Sequence, residues 1–444
     1  MNKRHYLFLL SVLGLGALAA CGRSALVLRT HPGDGEVVAA TGRVGVEFAV
    51  IMDEESAESS FFIEPNLEGT YFWEDNIMWF IPEVPLAPEK TYTATLEGRA
   101  ASQAGRRLDQ TLSWQFTIRE PAIVFLSQIE GVIGFWQKQN AGSTRLSPEF
   151  EGEILSYAFD RAGNEIIYVV TNAAGGRDLW WSNRLGSSFR MLVDCGADRC
   201  TEPAWSPDAQ RIAYNRAQAI PAAVNKFDPA RLWTLNPVTG QTSALLQDDH
   251  ELIGGPIWSP DGDKLAFYDT LVNGIRILDL VGGADSVLPS GYGIIGSWSP
   301  EGERMVFPVL QGRADGFSVS IRLASLKSKE TTVIMDENAQ WLDIGLPAWS
   351  PDGQWIVIAI QSAEYGLGKQ LWLMNSDGSG LHLIVIDPAF SHGGYRWDPY
   401  SEKIIFQRFN LGDPDATPEV WVWSMEDEQV QSIAQNAWQP DWLP

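Results

Sequence analysis

Aromatic and acidic residues stand side by side again and again in the second half of this 444-residue chain. Asp248, Asp249 and His250 fall in QDDHELIGG, Trp341 and Asp343 in DENAQWLDIGL, and Tyr365 in QSAEYGLGKQ. Phe390, His392 and Tyr395 follow in DPAFSHGGYR, and Phe409, Asp413 and Asp415 in QRFNLGDPDATPE. A flat ring beside a carboxylate suits stacking on a sugar ring or anchoring a protein partner. Catalytic chemistry has less to work with. Beyond His5 and His31 the histidines are His250, His382 and His392, and none stands in a His-Glu-x-x-His spacing. No Gly-x-Ser-x-Gly elbow occurs. The expectation is therefore binding without catalysis and without a cofactor.

These residues are carried by a repeat. The phrases YAFDRAGNEIIYVV, PAWSPDAQRIAYN, PIWSPDGDKLAFYD, GSWSPEGERMVFPV, PAWSPDGQWIVIAI, YRWDPYSEKIIFQR and a shortened QPDWLP share one plan. Their anchors Phe159, Trp205, Trp258, Trp298, Trp349, Trp397 and Trp442 lie 40 to 53 residues apart, the length of one four-stranded β-propeller blade. Proline fixes φ after the serine and Asp-Gly supplies turn chemistry, so each phrase is a tight reversal between two strands. The asparates Asp208, Asp261 and Asp352 are thus turn formers, and the repeated tryptophans are packing elements between blades. Such a unit cannot bury both faces alone, so its stability comes from stacking on its neighbours.

The strand census predicts how the ring closes. A second-type strand, AIVFLSQ at 122–128, precedes the first complete phrase and lacks an inner partner, while AWQPDWLP at the end of the chain has no second strand. Pairing the two gives seven blades, one shared between the termini, and removes an open sheet edge. Six blades is the alternative if the degenerate copy at Phe159 is incomplete. The Ser-Pro-Asp-Gly turns line one face of the disc. The opposite face carries the long segments 215–231, 247–255, 336–346, 361–370, 387–396 and 407–419, which hold the aromatic and acidic residues. Long loops on a rigid scaffold are where binding residues concentrate.

Residues 25–118 differ in character, with short alternating strands such as VGVEF, MWFIP, YTATLEG and WQFTI between turn-rich links, the pattern of a β-sandwich. The phrases PGDGEVV, VEFAVIMD, FIEP, LAPEKTYTATL and WQFTI resemble, in order, the bacterial Ig-like domain of surface-layer and other envelope proteins, with Ala49-Val50-Ile51 in place of the common Phe-Ser. That resemblance implies a spacer or adhesion unit. The fold expected is all-β: this sandwich, then a propeller over 121–444.

The propeller phrases resemble the TolB-like family, whose repeats carry the same Trp-Ser-Pro-Asp-Gly turn. They are also similar to those of propeller-bearing serine peptidases, although no α/β-hydrolase domain follows here. Some seven-bladed propellers are polysaccharide lyases that use histidine and acidic ligands around a metal. By that resemblance His250 and His392 meeting over the channel form the enzymatic alternative. A purely structural envelope component is the other.

Lys3 and Arg4, the apolar run YLFLLSVLGLGALAA and Leu18-Ala19-Ala20-Cys21 resemble a bacterial lipoprotein signal. The resemblance implies removal of residues 1–20, acylation of Cys21, a tether over 21–24, and anchoring in the cell membrane or outer membrane facing the periplasm or exterior. The formal charge is −24, and loss of Lys3 and Arg4 takes it to −26. So acidic a chain is not expected to bind nucleic acid, which needs a basic face. The expected partners are an envelope protein or glycan, and the bilayer through the acyl chains. Cys195 and Cys200 remain, and an exported context favours a disulfide between them over free thiols or a metal site.

Overall fold

The computed structural model describes residues 26–444 apart from 41, 130, 221–225, 247–251, 284, 314–315 and 336–340. Cys21, Asp248, Asp249 and His250 lie outside the described residues.

The first unit is a sandwich of two four-stranded sheets. One orders Val27–His31, Val44–Phe48, Ile77–Pro82 and Gly69–Glu74; the other orders Glu36–Val38, Leu112–Ile118, Thr91–Leu96 and Phe61–Glu64. The period of two is visible in Leu112–Ile118, where Trp114, Phe116 and Ile118 are buried while Ser113 and Gln115 are exposed. Those side chains meet Phe48, Met78, Phe80 and Tyr92 in one core.

From Ala122 onward, strand pairing groups the described residues into four four-stranded sheets, one eight-stranded sheet over Ile154–Ala244 and one five-stranded sheet over Trp341–Val385, which read as successive propeller blades. The first holds Ala122–Ile129, Val132–Lys138 and Ser143–Arg145, with Ala437–Leu443 from the far end of the chain antiparallel to Ala122–Ile129. This is the shared blade. Its register sets Trp442 opposite Ile123 and Trp438 opposite Leu126. Blades two to seven occupy 154–193, 199–244, 252–289, 297–335, 341–385 and 390–435. The degenerate copy at Phe159 carries four paired strands, from Ile154–Phe159 to Phe189–Val193. Second strands are buried almost throughout, as in Glu165–Thr171 and Trp355–Ser362, because each is covered on both faces by adjoining blades.

The turn phrase has one hydrogen-bond plan. The Ser206, Ser259 and Ser350 hydroxyls each donate to the carboxylate two residues on, Asp208, Asp261 and Asp352, and each accepts the N–H five residues on. Where serine is replaced, Asp160 and Asp398 accept the N–H groups at four and five residues on. The tryptophans join blade to blade. Trp258, Trp298 and Trp397 donate their indole N–H to the carbonyls of Ala204, Ile257 and Ala348 in the preceding blade, at 3.0, 3.4 and 3.2 Å.

The sandwich is packed on the Ser-Pro-Asp-Gly face. Tyr400 packs against the sandwich core and donates its phenol to the Leu86 carbonyl at 3.1 Å. Arg119 donates to the carbonyls of Val37 at 3.2 Å and Pro444 at 3.1 Å, so it touches both units and the end of the chain. Ala40 and Pro82–Pro85 share a cavity of about 720 Å3 with Trp205, Trp258, Trp298 and Trp349. The Ig-like unit therefore covers the tight-turn mouth of the ring. It is held there by contacts as distant in sequence as Leu86 and Tyr400.

Candidate functional site

With one face covered by the sandwich, the long-loop face is the open side of the disc. Inner strands begin there and third strands begin there, so it collects the residues that open Trp341–Ile344, Phe390–Trp397 and Gln370–Asn375. Trp341 is half-buried against the core between blades five and six. Asp343, two residues on, accepts the Tyr292 phenol at 2.6 Å and pairs with Lys369 at 2.6 Å. Partial burial pushes the Asp343 carboxyl up, but the hydrogen bonds from Lys369 and Tyr292 outweigh it and hold the group below the usual carboxylate range. Burial first, and Asp343 second, push the Tyr292 phenol up. These groups and Leu310, Phe317 and Leu346 line a cavity of about 610 Å3.

Around it lies apolar surface. Phe317 is 77% exposed and Leu367 is 81% exposed. Leu346 lines the cavity and is exposed too, and Ile386, Phe409 and Leu411 are exposed on long-loop links of blades six and seven.

The sequence-predicted residues divide among three places. Trp341 and Asp343 line the cavity, Phe409 belongs to the exposed apolar surface, and Asp413 and Asp415 are exposed on the adjacent loop. Tyr365 is half-buried, edge-on to Trp372 with ring centroids 5.9 Å apart. Phe390 is half-buried with the Arg408 guanidinium 3.8 Å over its ring, and that guanidinium also pairs with Asp387 and Glu419.

Two residues are corrected from the surface to the interior. Tyr395 is buried, donating its phenol to the Leu346 carbonyl and accepting the Ala359 N–H at 3.1 Å, which makes it a tie between blades seven and six. His392 is buried with Nδ1 2.9 Å from the Lys369 carbonyl and its ring 5.5 Å from Phe406. Burial depresses its pKa despite the Lys369 contact, so the ring is neutral near pH 7. Gly394 explains the Tyr395 correction, since its φ of +56° sits at a register shift between Gly393 and Arg396, a bulge that turns the following side chain inward, while His392 lies before the shift in a regular strand.

The metal alternative paired His392 with His250, which lies outside the described residues. Among the described residues no group of three or more His, Cys, Asp or Glu side chains could hold a metal ion. Cys195 and Cys200 form a disulfide, with the Cys195 N–H donating to the buried Asp178 carboxylate at 2.9 Å. Tyr292, Phe317, Leu346, Leu367 and Lys369 were not singled out from the sequence. A lone apolar residue in a loop carries no local signal, and the Asp343–Lys369 pair joins positions 26 apart.

Residues 24–118 match the bacterial Ig-like domain family. The chain is 28% identical over 209 residues to a Bacillus subtilis (strain 168) protein named as the uncharacterized peptidase YuxL, covering 46% of this chain and 28% of that one. It is 26% identical over 216 residues to an uncharacterized Agrobacterium fabrum protein, covering 47% and 65%. The chain thus spans less than two thirds of either curated relative.

Among solved structures, a puromycin-hydrolyzing peptidase of Mycobacterium tuberculosis aligns with a TM-score of 0.52 at 13% identity, over 72% of this chain and 54% of that one. Prolyl endopeptidases align with a TM-score of 0.50 at 10% identity, over 87% and 51%. TolB of Acinetobacter baumannii aligns with a TM-score of 0.42 at 14% identity, over 72% and 82%. The expectation that catalysis is foreign to this chain is corrected by these findings. One curated relative is named a peptidase, and the solved structures that share the fold include peptidases.

Proposed function

We propose that this chain is a lipid-anchored extracytoplasmic protein whose propeller takes up an extended segment of a protein ligand on its long-loop face. The observation that carries the reading is the exposed apolar surface of Phe317 and Leu346 at the Asp343–Lys369 cavity, on the side that the sandwich leaves open. Peptide is the ligand class because the relative in Bacillus subtilis is named a peptidase. The cavity has apolar walls and one oriented ion pair, which suits an apolar side chain entering beside a backbone amide. The anchor is Cys21, and the site faces the periplasm or the cell exterior.

Photo-crosslinkers placed at Phe317 and Leu367 in cells test this. Capture of a protein from both positions, with none from Lys327 on the opposite side, is the expected result. Capture from Lys327 alone would move the site to the other face and end the proposal.

A further inference from the structure

Arginine is gathered on the other side of the same face. Arg177 opens the third strand of blade two and Arg199 opens the first strand of blade three, and the two are register partners in the one parallel contact that joins those blades among the described residues. Arg216, opposite Cys200 on the next strand, is in turn the register partner of Arg231. Arg177 and Arg199 are therefore neighbours on one face of the sheet, with Arg216 and Arg231 paired on its other face, in a chain whose net charge is −24.

Their partners are unequally shared. Arg216 pairs with Asp198 at 2.8 Å and lies over Trp233, and Asp198 is further engaged by the Ala219 N–H. Arg199 lies flat on Phe227, 3.8 Å from the ring centroid, and its buried Nε has no hydrogen-bond partner. The Arg177 backbone N–H donates to the Asp198 carbonyl at 3.0 Å, but its guanidinium makes no hydrogen bond or ion pair with a described residue, and both arginines are half-buried. Like charges on neighbouring strands repel, and a buried guanidinium donor without an acceptor is costly. Burial and the nearby Arg199 charge both depress the Arg177 pKa, with exposed Glu202 the opposing influence. An arrangement of this kind is completed by an anion, and the planar fork of arginine matches a carboxylate.

We propose that Arg177 and Arg199 form a carboxylate-binding subsite that takes an acidic segment of the peptide ligand. The inference rests on the proposed function for the class of ligand, but it uses different residues on different blades. Neighbouring strands lie about 4.8 Å apart, so the two guanidinium groups can meet one carboxylate or two close ones of an extended peptide. The acidic remainder of the protein repels polyanions at long range. Anion capture by this chain therefore requires a local cationic site.

The test is anisotropy of a fluorescent hexaglutamate peptide with the detergent-solubilised full chain. Saturable binding is expected, weakened at least tenfold by Arg177→Gln and again by Arg199→Gln, and unchanged by Lys327→Ala. The Arg177 guanidinium makes no hydrogen bond within the described residues, so its variant should fold, which circular dichroism checks. Raising salt from about 50 to about 200 mM should weaken binding severalfold, as displaced counterions require. Equal affinity of Arg177→Gln and the parent chain overturns the site. Tighter binding of labelled oligogalacturonate than of hexaglutamate overturns the peptide assignment. Phe317→Asp should leave hexaglutamate binding intact, so a failure of the apolar surface is read separately from a failure of the arginine pair.

Discussion

The indole N–H of Trp258 donates to the carbonyl of Ala204, the residue just before Trp205, so the anchor of one blade is bonded to the backbone beside the anchor of the previous one. Arg211, which follows the turn of that previous blade, lies 4.9 Å over the same indole. Arg304 and Trp349 repeat the contact two blades later at 4.9 Å. The aromatic that marks the repeat in sequence is thus the inter-blade fastener in structure. Trp258→Phe keeps the ring but loses the donor, leaving a half-buried carbonyl unpaired, and is expected to cost about 1 kcal/mol. Trp258→Ala also opens a cavity and is expected to cost about 3–5 kcal/mol. Denaturant midpoints at constant slope measure both, and equal losses for the two variants would contradict the separate role of the indole N–H.

Deleting residues 437–444 should unfold the propeller as a whole. The deletion removes Ala437–Leu443 from the first blade together with the Pro444 carbonyl, to which Arg119 and Arg184 donate. It exposes the edge of Ala122–Ile129 at the same time. A single cooperative shift of thermal unfolding is expected. A truncated chain that melts like the parent would show that closure carries no stability.

The Cys195–Cys200 disulfide closes a short loop beside the Arg177–Arg199 pair and ties the link between blades two and three. Loop-closure entropy for so small a ring is about 2 kcal/mol. The double variant Cys195→Ser and Cys200→Ser should therefore stay folded with a modestly lowered midpoint. Loss of all cooperative unfolding in that variant would mean the bond holds far more than its loop.

Acidification should destabilise the boundary between blades six and seven through His392. Its pKa is lowered by burial, and Arg408 adds to that, while the Lys369 carbonyl and Asp387 oppose it. A histidine whose folded pKa lies below its unfolded value binds fewer protons when folded, so stability is complete above about pH 6.5 and declines as pH falls below it. His392→Asn should flatten the stability profile between about pH 6.5 and 5, where the unfolded imidazole charges first. Thermal midpoints across that range in the parent and variant decide it; parallel curves would assign the acid sensitivity to other groups.

Legibility followed distance along the chain. The Trp-Ser-Pro-Asp-Gly phrase could be read because Ser259, Asp261 and Lys264 satisfy one another within five residues. The shared blade could be read because strand types can be counted. Tyr395 and His392 were misplaced because DPAFSHGGYR has the composition of a loop, while Phe390–Trp397 is a strand bent at Gly394. The docking of the sandwich on the turn face depends on pairs such as Tyr400 with Leu86, and no periodicity encodes a contact between units. The arginine pair is also hidden, since Arg177 and Arg199 become neighbours only when one blade meets the next.

Substitutions on the long-loop face should separate capture from folding. Phe317 and Leu367 are exposed, so Phe317→Asp and Leu367→Asp remove apolar surface without opening the core. Each should weaken ligand capture by more than about 1 kcal/mol if it is an anchor, while thermal unfolding stays in place. Trp341→Ala should weaken capture and also lower stability, because the ring is packed against the core between blades five and six. Tyr395→Phe should do the reverse of the Phe317 and Leu367 variants, since its hydroxyl joins Leu346 and Ala359 inside the disc. Removing it leaves the Ala359 N–H without a partner, at a cost of about 1–3 kcal/mol in stability with capture unchanged per folded molecule. Lys264→Ala, beside a tight turn on the face that carries the sandwich, should leave capture alone. Capture that survives the Phe317 and Leu367 substitutions but is lost with Lys264→Ala would place recognition at the tight turns and the sandwich instead.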